Sequence, residues 1–252
     1  LIKATPWLTE RHGYDPTFRS IFRFGGNEAM DKKDMPRRRE AMELRVRRTM
    51  AALEKNNMSA YFAQTSEEAV RLVEGLLCAG DTISCGGSVT LDASGVKALM
   101  RSGRYNFLDR EAVETDAERQ AIYRQTFSAD AFLTSSNAIT ERGELFNIDG
   151  GGNRVAAMLF GPKKVIVVAG WNKIVRDLNA AKLYVKAVTV PANALRLHID
   201  TPCTHAACPG TDGDLCGGCS SENRLCAQYT VMARQRVRSR VHVILVGEEL
   251  GY

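Results

Sequence analysis

Residues 165–169, Val-Ile-Val-Val-Ala, form an unbroken and largely β-branched apolar run. A strand of that composition has no polar face to offer water, so it reads as the centre of a sheet covered on both sides. Similar short runs recur at 59–62, 82–85, 106–108 and 131–134, and stretches of helical period separate them at 66–78, 92–100 and 116–127. That alternation is the mark of βαβ units. The expected fold class is therefore α/β, a largely parallel sheet flanked by helices. Further along, Gly143 divides 138–148 into two halves of a hairpin. A helix is expected over 177–188, Pro191 opens another short one, and 241–246 supplies a strand that closes the sheet.

Composition narrows the class of protein. A chain of 252 residues, 44% hydrophobic and 25% charged, buries a sizeable core in one large domain or two small ones. The first methionine is Met30, and 1–29 shows no clear periodicity. We set that stretch aside as a leader or extension and take 30–252 as the folded domain. No run reaches the roughly 18 apolar residues that a membrane helix needs, and no signal sequence stands at the front, so the cytoplasm is the expected compartment. Thirty-four basic residues face 29 acidic ones, a net charge of +5. Much of the excess lies in 32–48, where Met42, Val46, Met50 and Leu53 recur at helical spacing. A basic amphipathic helix over 30–57 explains it, and no nucleic-acid partner is expected. The same exposed basic face is a candidate docking surface.

Polar residues gather where strands are expected to end, the edge at which open α/β sheets bind ligands. Gly86, Gly87, Ser88 and Thr90 follow the 82–85 strand, where glycines admit close backbone approach and hydroxyls donate to an anion. A tight turn with an N-cap is the plainer reading of the same residues. Ser135, Asn137 and Thr140 follow the next strand. Asn147, Asp149, Asn153 and Arg154 surround a glycine loop, with Arg154 able to hold a carboxylate or phosphate bidentately. Asn172 and Lys173 end the 165–169 strand, and Asp109 offers a carboxylate. Together these form a candidate pocket for a small carboxylate or phosphate, with no catalytic residue assigned. Cys85 reads as a small buried residue before it reads as a nucleophile.

Seven cysteines cannot all pair, and five crowd the glycine-rich, polar stretch 201–226. Cys216-Gly-Gly-Cys219 wraps a metal readily, and Cys203 and Cys226 complete four thiolates, with Cys208 an alternative. Iron–sulfur is the preferred cofactor, zinc the alternative.

The order and spacing of several segments resemble the lactate-utilisation (LUD) domain family over about 30–252. These include Gly86-Gly87-Ser88 with Thr90-Leu91, Tyr105 to Arg110, Ser135 to Thr140, Gly143-Glu144-Leu145, Asn153 to Ala157, Gly161 to Val165, Asn172 to Val175 and Gly247 to Tyr252. The resemblance implies a sheet like that of ribose-phosphate isomerase, glucosamine-phosphate deaminase and CoA-transferase-like proteins. It also implies a metal-bearing subunit that supports oxidation of L-lactate to pyruvate alongside iron–sulfur partner proteins. The alternative is an enzyme or binding protein for a phosphorylated or CoA-type anion, with structural zinc. One departure stands out: twelve residues separate Cys203 from Cys216, where the family motif is compact. A nicotinamide or flavin fingerprint is not recognisable.

Overall fold

A computed structural model describes residues 35–252 apart from 207, 209 and 211–213. The expected leader, 1–29, lies outside the described residues. Residues 40–252 form one compact unit; of the other, 1–39, only the opening turn of the first helix is described.

The strands are β1 (Ser59–Ala63), β2 (Thr82–Cys85), β3 (Asn106–Leu108), β4 (Ala131–Thr134), β5 (Ala138–Thr140), β6 (Leu145–Asp149), β7 (Lys164–Gly170), β8 (Ile174–Val175), β9 (Gln228–Met232) and β10 (Val241–Val246). The α-helices are α1 (Met35–Lys55), α2 (Ser66–Leu76), α3 (Val89–Ala93), α4 (Val96–Met100), α5 (Asp116–Gln125), α6 (Asn153–Phe160), α7 (Leu178–Tyr184) and α8 (Val190–Arg196). Six strands make an all-parallel sheet in the order β1-β10-β7-β4-β2-β3. The α/β architecture with a flanked parallel sheet is the one the sequence predicts.

The central strand shows why its composition is so uniform. Ile166 and Val168 of β7 pack with Ala69 and Val73 of α2, Leu91 of α3 and Val96 and Met100 of α4. Val165, Val167 and Ala169 point the other way, onto Val46 and Leu53 of α1 and Ala157 and Met158 of α6. Alternating residues thus enter two separate cores, and neither face meets water.

Three expectations change in detail. The helix over 92–100 is two short helices, because Gly95 adopts φ +75° between them. The strand at 241–246 does not close the sheet at an edge; β10 lies between β1 and β7. Strand β9 was not expected at all. It joins a second sheet, β8-β5-β6-β9, built on the Gly143 hairpin. At Gly143 φ is +78°, and an added Cβ would sit 2.6 Å from the backbone of Ala52 and Leu53, so α1 rests directly on the hairpin turn. Asn56 fixes that contact, its Nδ2 donating to the carbonyls of Arg142 and Gly143.

Candidate functional site

Parallel strands bring their C-terminal ends to one edge, and the loops after β2, β4, β6 and β7 meet there around a cleft of about 350 Å³. Gly87, Ser88, Thr90, Ser135, Asn137, Asp149, Asn153, Arg154 and Lys173 from the sequence-derived set all line it. Arg110, Thr189, Asn193 and Arg196 line it too, and were not anticipated. The last three come from the π-helical turn Val185–Thr189 and α8, whose placement over the strand ends depends on nonlocal packing.

Ser88 is the N-cap of α3, its hydroxyl accepting from the Leu91 amide, so the glycine loop is both a capped turn and a cleft wall. The guanidinium of Arg110 packs against the Gly87 backbone, and a side chain at 87 would displace it. Gly86 stands just behind the wall, where an added Cβ would lie 2.8 Å from the Arg154 side chain.

Arg154 is spent on architecture. Its Nη1 donates to Ser135 O and Asn147 Oδ1, and its Nη2 to Asn137 Oδ1 and Ile148 O. Asp149 lies 3.6 Å from its Nε. Burial, only partly offset by the Asp149 charge, lowers the guanidinium pKa from its ordinary value. Its side chain nonetheless forms part of the cleft lining. Asn147 is wholly buried as its brace.

Lys173 is the most unusual group in the cleft. It is 4% exposed, and its Nζ donates to Thr90 Oγ1 at 3.0 Å and Ser135 Oγ at 3.1 Å. Both hydroxyls turn their own protons to backbone carbonyls, Thr90 to Leu250 and Ser135 to Ser136. No carboxylate forms an ion pair with Lys173 among the described residues. Burial, aided by the nearby Arg154 charge, brings its pKa down to about 7. Thr189 Oγ1, buried on the cleft wall, has no hydrogen-bond partner among the described residues.

Three sequence candidates lie elsewhere. Asp109 accepts from Arg101 and the Glu111 amide. Thr140 is buried in the hairpin, where it pairs with Glu144. Asn172 holds the chain terminus beside the cleft, accepting from the Leu250 amide and donating to Gly251 O. Cys85 is buried beneath the loop, and burial pushes its thiol up to about 11, leaving it protonated and unreactive at neutral pH.

The cysteine loop adjoins the same cleft. Leu225 lines the wall, and Cys226 follows it as the chain enters β9, which pairs with β6. Cys226 is buried with Cys203, Leu215 and Tyr229 around it. Lys186, 1% exposed, brings its Nζ to 3.7 Å from Cys226 Sγ and donates to Tyr229 Oη. Arg224 ties the loop by donating to the carbonyls of Cys226, Cys219 and Leu215. Cys216 is exposed and Cys219 half-buried. Among the described residues no three His, Cys, Asp or Glu side chains converge as a metal shell. The donor chemistry still suits an anionic metal–thiolate centre: five thiols share one loop, and two cations are fixed beneath it.

The molecule is thus a parallel α/β sheet with basic side chains gathered in the cleft at its strand ends. The model of the LUD domain family matches residues 46–246, and the chain belongs to that family. Among solved structures, a DUF162 family protein from Deinococcus radiodurans is similar at 13% identity and a TM-score of 0.45, over 82% of this chain and 98% of that one. The eIF2B delta protein of Chaetomium thermophilum aligns at 17% identity and a TM-score of 0.30, over 55% and 54%. No curated protein matches the sequence. No helix among the described residues is long and apolar enough to cross a membrane.

Proposed function

We propose that the protein seats a small 2-hydroxy or 2-oxo carboxylate in this cleft and supports the oxidation of L-lactate to pyruvate, as a subunit rather than a self-contained dehydrogenase. The observation that carries the reading is the charge of the wall: Arg110, Arg154 and Arg196, with the buried amine of Lys173 beside them, face one acidic side chain, Asp149, which Arg154 already engages. A carboxylate neutralises such a wall, and the unpartnered Thr189 hydroxyl and Asn153 offer the short polar contacts that orient a hydroxy acid. Family membership supports the choice of lactate over other small anions.

In this reading Cys203, Cys216, Cys219 and Cys226 hold an iron–sulfur cluster, with Cys208 an alternative ligand, and Lys186 and Arg224 balance its charge. Such a cluster supplies one-electron transfer. Iron–sulfur partner proteins then complete the system. Leu225 lines the cleft and Cys226 follows it in sequence, which supports a reading in which ligand and electron carrier are neighbours.

Protein purified without oxygen is expected to carry iron and sulfide and to lose both in the Cys216→Ala/Cys219→Ala variant. Full metal content in that variant would remove the assignment, and zinc alone in colourless protein would favour a structural site. Titration calorimetry with L-lactate, pyruvate and inorganic phosphate tests the cleft. Binding of phosphate alone would favour the alternative, a pocket for phosphorylated or CoA-type substrates. Deleting the gene and growing the host on lactate tests the role, and unchanged lactate consumption would count against it.

A further inference from the structure

We propose that Lys173 is a reactive amine, one that condenses reversibly with the carbonyl carbon of a 2-oxo acid seated in the cleft. The inference rests on the carboxylate reading of that cleft and adds a covalent chemistry to it.

The geometry leaves the amine few other states. Thr90 and Ser135 give their protons to carbonyls, so each accepts one N–H from Lys173. In a neutral amine two N–H bonds are then committed, and the lone pair is the remaining valence, in a side chain that lines the cleft. An ammonium would need a further acceptor or an anion here, and the charged neighbours are Arg154, Arg110, Arg196 and an Asp149 already held by Arg154. The pKa of about 7 agrees, with about half the chains carrying the free amine near neutral pH. A buried lysine beside a second cation is the arrangement that activates an amine towards carbonyls.

The step balances within the cleft. The lone pair forms the C–N bond, the carbonyl π pair moves to oxygen, and that oxygen takes a proton as the nitrogen loses one. The resulting carbinolamine gains one proton from solvent and leaves as water plus an iminium ion. Ser135 and Thr90 orient the nitrogen, and the protons exchange with solvent in the open cleft. The cationic wall holds the carboxylate of the same ligand.

The test uses the whole chain with pyruvate and sodium cyanoborohydride, which reduces an iminium to a stable secondary amine. One N-carboxyethyl group per chain is expected, mapped by peptide mass spectrometry to Lys173, at an initial rate that climbs as pH passes through about 7. L-Lactate, which has no carbonyl, should compete and lower the yield. Lys173→Met should reduce modification to background. The mapping in unmodified protein keeps the test independent of whether that variant folds. Calorimetric binding of pyruvate without an adduct, or an adduct on another lysine, overturns the inference and leaves the cleft reading standing. Absence of binding by both pyruvate and L-lactate overturns the two together.

Discussion

At the scale of single residues, the cleft is held by two cations with opposite duties. Arg154 is a buried cross-brace whose donors serve Ser135, Asn137, Asn147 and Ile148. Arg154→Ala would strand several buried acceptors, at a cost of roughly 2–4 kcal/mol in urea unfolding. Lys173 carries the opposite balance. Its folded pKa of about 7 lies below the 10.5 of a free lysine, so between those values the unfolded chain holds the extra proton. Stability contributed by this site therefore rises with pH across that window, by up to about 1.4 kcal/mol per unit, and is at its lowest below pH 7. Comparing urea curves of the wild-type chain and Lys173→Met from pH 7 to pH 10 measures it. The wild-type chain should gain on the variant as pH rises, and parallel curves would show that the amine is not desolvated.

At the scale of elements, the join between α1 and the Gly143 hairpin is tight. Gly143→Ala adds a Cβ against the Ala52–Leu53 backbone at a positive φ, and a loss of roughly 2–4 kcal/mol in thermal or urea unfolding is expected. What the sequence discloses at this scale depends on how local the cause is. The β7 run and the hairpin glycine are legible because composition and backbone freedom sit in consecutive residues. Strand β9, Gln-Tyr-Thr-Val-Met, is an edge strand with Val231 exposed, and its partner β6 lies some eighty positions earlier, so no local pattern marks it. The candidate site divides in the same way. Strand-end loops were readable as cleft walls from topology, and nine of the residues named there converge. Thr189, Asn193 and Arg196 were not, because their arrival depends on how α8 and the π turn pack. The bracing duty of Arg154 was hidden too, since half its partners are backbone carbonyls, which carry no signature in a sequence.

At the scale of the whole molecule, cleft and cysteine loop share a wall, so the two should be energetically linked. Pyruvate binding is expected to weaken a few-fold in Cys226→Ser or in protein stripped of metal, if the loop's closure positions Leu225; calorimetry on both forms reads it, and unchanged affinity would separate the two sites. The sheet order carries a different consequence. Strand β10 lies between β1 and β7, yet of the strands described in this sheet it is the last to be synthesised. Until residue 246 leaves the ribosome, β1 has no neighbour in the sheet and the apolar edge of β7 stays open. The nascent chain therefore waits for its own keystone with a sticky, half-built sheet. Expression should depend on chaperone supply, and translation stalled ahead of residue 241 should leave a product that aggregates.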